Sequence, residues 1–108
     1  MAINSKEKGK RGELEVAALL REYGYDEGRR GQQYCGTNGD ADVVGLPGVH
    51  IEVKRVEKLN LHEAWKQADA DCGGKMPVVV HRKNRTPWLV TMHFDDFMRL
   101  YEGAHHDN

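Results

Sequence analysis

Cysteine is scarce in this chain, with two in 108 residues, Cys35 and Cys72. They lack CxxC spacing and no Cys/His pattern accompanies them. Neither a disulfide framework nor a zinc site is expected, and free thiols fit a reducing compartment. Also missing is any run apolar enough to span a bilayer, and the N-terminus is polar and charged rather than signal-like. A cytoplasmic protein with no membrane partner is the expectation. The glycines follow neither GxGxxG nor Walker spacing, which leaves nucleotide binding unsupported. No repeat or low-complexity tract occurs. Nor does one sign of charge dominate, with 16 Lys+Arg against 17 Asp+Glu. That balance excludes a protein that coats nucleic acid by bulk charge, yet it permits a basic patch facing an acidic cluster. The length predicts a single domain, residues 1–108, with a modest core that a second copy would help to stabilise.

What the chain does have is concentrated between Gly39 and Arg55. Two β-branched runs, Asp42–Val44 and Val49–Val53, flank Leu46-Pro47-Gly48. Pro presets one turn dihedral and Gly accepts the positive one, so a hairpin is predicted. Side chains alternate faces along a strand. His50, Glu52 and Lys54 therefore share one face of the second strand, and Ile51 and Val53 share the other. The hairpin folds Asp42 back beside Glu52 and Lys54. Two carboxylates at one point repel, and a cation relieves that strain. Lys54 does so in part; a hard divalent ion such as Mg²⁺ does so fully, because it favours carboxylate oxygen and retains waters. An activated water beside a lysine is a means of hydrolysing phosphate esters. The plain alternative is a solvated strand face with a structural Glu–Lys pair, and Glu-x-Lys alone does not separate the two.

The flanking segments are read by periodicity. Met1–Arg11 is Lys-rich without an apolar stripe and reads as a flexible arm over residues 1–10, where Lys10 and Arg11 are placed to touch phosphate or simply water. Gly12–Tyr23 is predicted as a helix on which Glu13, Val16, Ala17 and Leu20 form one stripe. A carboxylate on the apolar side needs a partner. Glu13 is thus the candidate for function, with stabilisation of the helix dipole as the alternative; Glu15, on the far face, is assigned to solvent. A strand is expected over about Gly28–Tyr34, with a loop at Cys35–Gly39. Its Arg29, Arg30, Gln32, Gln33 and Tyr34 are types that contact phosphate and bases, and equally ordinary ones for an exposed edge.

After the hairpin, Leu59–Asp71 is predicted as a helix with Leu61, Ala64, Trp65, Ala68 and Cys72 toward the core, and Lys66 and Gln67 off that stripe. The continuous apolar run in Met76–His81 predicts a central strand. Arg82-Lys83-Asn84-Arg85 is a basic turn, suited to phosphate or to solvent. Trp88–Met92 returns as a strand with Trp88 in the core. Phe94, Phe97, Met98 and Tyr101 predict a last amphipathic helix, followed by a flexible tail over residues 103–108.

Taken together, a helix-borne Glu13, Asp42 opening the strand Asp42-Val43-Val44, and Glu52-Val53-Lys54 on the next strand resemble the PD-(D/E)xK nuclease superfamily. Within it the chain looks most like the archaeal-type Holliday junction resolvases and their phage and bacterial relatives, over about Lys10–Met92. The sequence departs from the family pattern in carrying Ala41 where proline precedes the motif aspartate, and Asp40 offers a second carboxylate beside Asp42. The resemblance implies an α/β (α+β) restriction-endonuclease-like fold, an αβββαβ core with a mixed sheet flanked by helices. It also implies an Mg²⁺- or Mn²⁺-dependent endonuclease of prokaryotic or phage origin. Asp42, Glu52 and the Val53 carbonyl would hold the ion and Glu13 would join them. Lys54 would orient the attacking water, Gln67 would support it, and cleavage would leave 5′-phosphate and 3′-hydroxyl ends. Branched DNA and a homodimer are the implied partners, with Lys10, Arg11, Arg29, Arg30, Arg82, Lys83 and Arg85 as DNA contacts. Other readings are a nicking, repair or VRR-type nuclease on duplex or flap DNA, a non-catalytic DNA-binding module, or a small α/β interaction protein.

Overall fold

The computed structural model describes residues 5–32 and 41–105, with side chains from residue 7 onward. Its elements run α1 (Ser5–Glu22), β1 (Arg29–Arg30), β2 (Val43–Val44), β3 (Val49–Arg55), α2 (Leu61–Asp71), β4 (Met76–Arg82), β5 (Leu89–Met92) and α3 (Phe94–Ala104). The expected order of elements is therefore the observed one. The five strands form one mixed sheet in the order β1-β2-β3-β4-β5. Only β3 and β4 are parallel, joined by the crossover through α2; the other neighbours are antiparallel.

The alternation of β3 decides the layers. Ile51 and Val53 point to one face and pack with Val16 and Ala17 of α1, Val43 and Val78. On the other face Val79 packs with Ala64 and Ala68 of α2. The sheet thus lies between the two helices, and every predicted stripe on α1, β3, β4 and α2 contributes to one core or the other. Trp88 is partly buried against the α1-side core, as expected. α2 begins at Asn60, whose Oδ1 accepts a hydrogen bond from the Glu63 N–H at 3.1 Å. Such a cap satisfies a donor that the helix itself leaves open.

The β2–β3 hairpin takes the predicted form. Pro47 and Gly48 are the central residues of the turn, Gly48 has φ +79°, and the Val49 N–H donates to the Leu46 carbonyl at 3.2 Å. This is the type II arrangement. Gly45 is the more demanding position. Its φ is +109°, and a Cβ there would lie 2.5 Å from the backbone of Glu27. Gly45→Ala is expected to cost about 2 kcal/mol or more, since neither the backbone conformation nor the neighbouring chain can yield. A thermal melt checks this; a melting temperature within about 2 °C of wild type would contradict it.

Four expectations need correction. The Lys-rich arm is not frayed where it is described: α1 already begins at Ser5. Lys, Glu and Arg are good helix formers and extend a helix that packing has nucleated, and Lys8 also meets Glu57 at 3.4 Å. β1 is only Arg29–Arg30, because its partner β2 is itself two residues long. Glu15 is not simply solvated; it accepts from Arg82 at 3.1 Å and faces Arg55 at 3.6 Å. The last helix continues through Gly103 and Ala104. The expected residues Gln33 and Tyr34, the loop at Cys35–Gly39, Asp40, and the ends at 1–4 and 106–108 lie outside the described residues.

α3 is amphipathic as predicted, yet none of its residues is buried. Phe94, Phe97, Leu100 and Tyr101 are all exposed, as are Leu89 and Val90 on β5. Among the described residues no helix is long and apolar enough to cross a membrane.

Candidate active site

The α2-facing side of the β2–β3 hairpin gathers the chemistry. Asp42 stands just before β2, and its charge acts on Glu52, which alternates on β3 to the side opposite Ile51 and Val53. That is the face of His50, Glu52 and Lys54. The Asp42 carboxylate is fixed from below, as the Val53 N–H donates to Oδ2 at 2.9 Å. Its backbone is fixed too, because the Gly31 N–H donates to the Asp42 carbonyl at 2.9 Å. Where β2 would continue alongside β3, a side chain therefore replaces the ladder. The Val53 carbonyl projects from the same strand edge as the amide that Asp42 holds.

Glu52 is 6% exposed. Burial, the neighbouring Asp42 charge and a hydrogen bond between the two carboxyls push its pKa up to about 8, while Lys54 pulls it down. Desolvation dominates because a buried carboxylate loses its water; the like charge beside it adds to the effect. His50, also buried, brings Nε2 to 2.9 Å from Oε1 of Glu52. Desolvation lowers the His50 pKa, opposed by Asp71 and Asp42. His81 stands level with Lys54 on β4, and burial lowers its pKa. It is neutral near pH 7 and adds no like charge beside the lysine.

The structure thus brings together Asp42, Glu52 and Lys54. Among the described residues the charges that act on Glu52 are those of Asp42, Lys54 and Asp71. Glu13 is carried by α1 on the other side of the sheet, where Arg30 donates from Nε to its Oε1 at 2.8 Å. Gln67 lies on the exposed side of α2. Lys10, Arg11, Arg29, Lys83 and Arg85 are exposed. Arg82 is held by Glu15 and lies over the Trp88 ring at 5.5 Å. His50 is the residue that the sequence reading left without a role. Its signal was present in the alternation that placed it on the face of Glu52.

Among the described residues no group of three His, Cys, Asp or Glu side chains is arranged to hold a metal ion. The pair that is present nevertheless suits one kind of ion. Two hydrogen-bonded carboxyls, one of them kept protonated to about pH 8, form a site short of positive charge. Mg²⁺ keeps several waters and is commonly held by only one or two carboxylates together with substrate phosphate. The donor set fits such an ion and does not fit a soft or tetrahedral one.

A mixed sheet with aspartate at the second strand and Glu-x-Lys on the third is the arrangement of the PD-(D/E)xK class. Residues 4–107 match the family described as "Phage putative PDDEXK endonuclease", and the chain belongs to that family. It is a nuclease family, which supports the superfamily resemblance. Protein D14 of Escherichia phage T5 is 32% identical over 125 residues, an alignment that covers 91% of this chain and 76% of D14. No solved structure gives a significant match.

Proposed function

We propose that this protein is a divalent-metal-dependent endodeoxyribonuclease that hydrolyses phosphodiester bonds in branched DNA, in the manner of the Holliday junction resolvases. One observation carries the reading: the Asp42 carboxylate, anchored on the Val53 N–H at 2.9 Å, and the Lys54 charge both act on the buried Glu52 carboxyl. In this proposal Asp42, Glu52 and the Val53 carbonyl hold Mg²⁺ or Mn²⁺. When bound, the ion acidifies water and neutralises charge that develops on the phosphate. Lys54 orients the attacking water and stabilises the phosphoryl oxygens, and Gln67 supports that lysine or the water. Glu13 joins the site directly or through water. That role requires its release from Arg30, which then becomes available to phosphate. Lys10, Arg11, Arg29, Lys83 and Arg85 meet the DNA backbone, with Arg82 at the edge of the same surface.

A four-way junction requires two symmetric cuts, and a two-fold pair of chains supplies them. The uncovered apolar residues of β5 and α3 support such a homodimer. β5 ends the sheet order, and an open apolar edge is a template for a second strand. The proposed setting is the cytoplasm of a prokaryotic cell.

The experiment compares a synthetic four-way junction with linear duplex, each with Mg²⁺ and with EDTA, alongside the solution mass. Symmetric, Mg²⁺-dependent incision of the junction by a two-chain species is the expected result. Equal cutting of all DNA forms removes the resolvase label and favours a nicking, repair or VRR-type enzyme. DNA binding without cutting in either buffer removes the nuclease and leaves a binding module.

A further inference from the structure

We infer that His50 is a positioning residue for Glu52: its imidazole holds the Glu52 carboxyl in the one orientation in which Asp42 and Glu52 together face a cation. The inference rests on the reading proposed above, and goes beyond it in assigning a residue that touches neither the ion nor the DNA.

The argument starts from the softness of the glutamate side chain. The last torsion of Glu is broad and roughly two-fold, so rotamer preference alone does not fix the plane of the carboxyl. Something must hold it. The Nε2···Oε1 contact is 2.9 Å long, between side chains only 6% and 8% exposed. With Glu52 ionised, this contact places the proton on Nε2, and the imidazole donates. One carboxyl oxygen is then committed to His50 and the carboxyl plane is set. Asp42 is fixed independently by the Val53 N–H at 2.9 Å. The two carboxyls are thus oriented by two different donors, one from a side chain and one from the backbone. Carboxylates that ligate metals are commonly held by such partners, and losing one typically costs 10–100-fold in metal affinity.

The position of His50 adds a second reason. It lines a cleft of about 340 Å³ with Val44, Leu46, Val49, Asp71 and Lys75 among its walls, whereas Glu52 does not line it. His50 therefore stands between that cleft and the carboxyl pair. A smaller apolar residue would free the carboxyl to turn toward the cleft and away from Asp42.

The test measures Mn²⁺ binding to the full chain by calorimetry, with DNA absent, so that the readout is separate from cleavage. His50→Leu keeps bulk and removes the donor. His50→Asn stays polar but is too short to reach Glu52, and serves if the leucine variant does not fold. His50→Gln places an amide N–H near the position of Nε2. The expected result is a loss of about 10–100-fold in Mn²⁺ affinity for the leucine and asparagine variants, with the glutamine variant within about threefold of wild type. A purely structural role would lower the melting temperature in EDTA and leave the Mn²⁺ affinity of the folded protein unchanged, and that result overturns the inference. Asp42→Asn is the control. If wild type binds Mn²⁺, Asp42→Asn does not, and the leucine and asparagine variants bind like wild type, the site stands and the role of His50 falls. If wild type itself takes up no Mn²⁺, the proposed site falls and the inference with it.

Discussion

Lys54→Ala is expected to slow DNA cleavage by about 10²–10³-fold, the usual cost of removing one group that stabilises charge developing in a transition state. Lys54 is half-buried on β3. Its charge is the one that pulls the Glu52 pKa down against burial and Asp42. The neutral His81 beside it does not replace that charge. Arginine restores only part of the rate, because a planar fork does not present its charge as a compact ammonium does. Asp42→Asn is expected to cost at least as much. Asparagine keeps an oxygen for the Val53 N–H, so the fold is retained while the site loses one of the two carboxylates proposed to hold the ion. Single-turnover cleavage of a labelled junction reads both variants. Should each cut at the wild-type rate, the catalytic assignment is wrong.

The metal-free protein is expected to lose stability as the pH rises toward about 8. Glu52 holds its proton up to about pH 8 in the folded chain, against an ordinary 4.5 when unfolded. Between those values the folded state binds more protons, so stability falls with rising pH, and the loss is complete above the folded pKa. His50 and His81 act in the opposite direction below their ordinary 6.5, because burial keeps them neutral in the folded chain. The unfolded histidines go on titrating for about one unit above 6.5, so the effect of Glu52 is read cleanly only from there to just beyond its own value of about 8. Melts in EDTA across that window fall for wild type and flatten for Glu52→Gln. Mn²⁺ reverses the loss most strongly at the upper end, since a cation takes the place of the proton. Its binding at pH 7 releases protons, detectable as a buffer-dependent heat. A flat wild-type profile in this window would show that Glu52 is ionised without a metal.

Much of this was legible in the chain itself. The period of two in His50–Lys54 placed three polar side chains on one face, and the Pro47-Gly48 turn returned Asp42 to them. The stripe on α2 and the unbroken Pro77–Val80 run located the crossover and the central strand. Partners across the fold were not legible. Arg30 on Glu13 and Arg55 and Arg82 on Glu15 are contacts between side chains whose approach depends on where whole elements dock. α3 illustrates the same limit: its pattern declares an apolar side, and the folded chain leaves that side uncovered.

The sequence by itself determined the order of elements, the faces of β3 and the identity of the acidic pair, because hydrophobic periodicity and turn chemistry act over a few neighbouring residues. Tertiary structure alone decided that Glu13 is held by Arg30, that Asp42 is anchored by the backbone of Val53, and that Glu52 is dry enough to keep a proton near neutrality. These are consequences of burial and distance, and both exist only after the layers have packed.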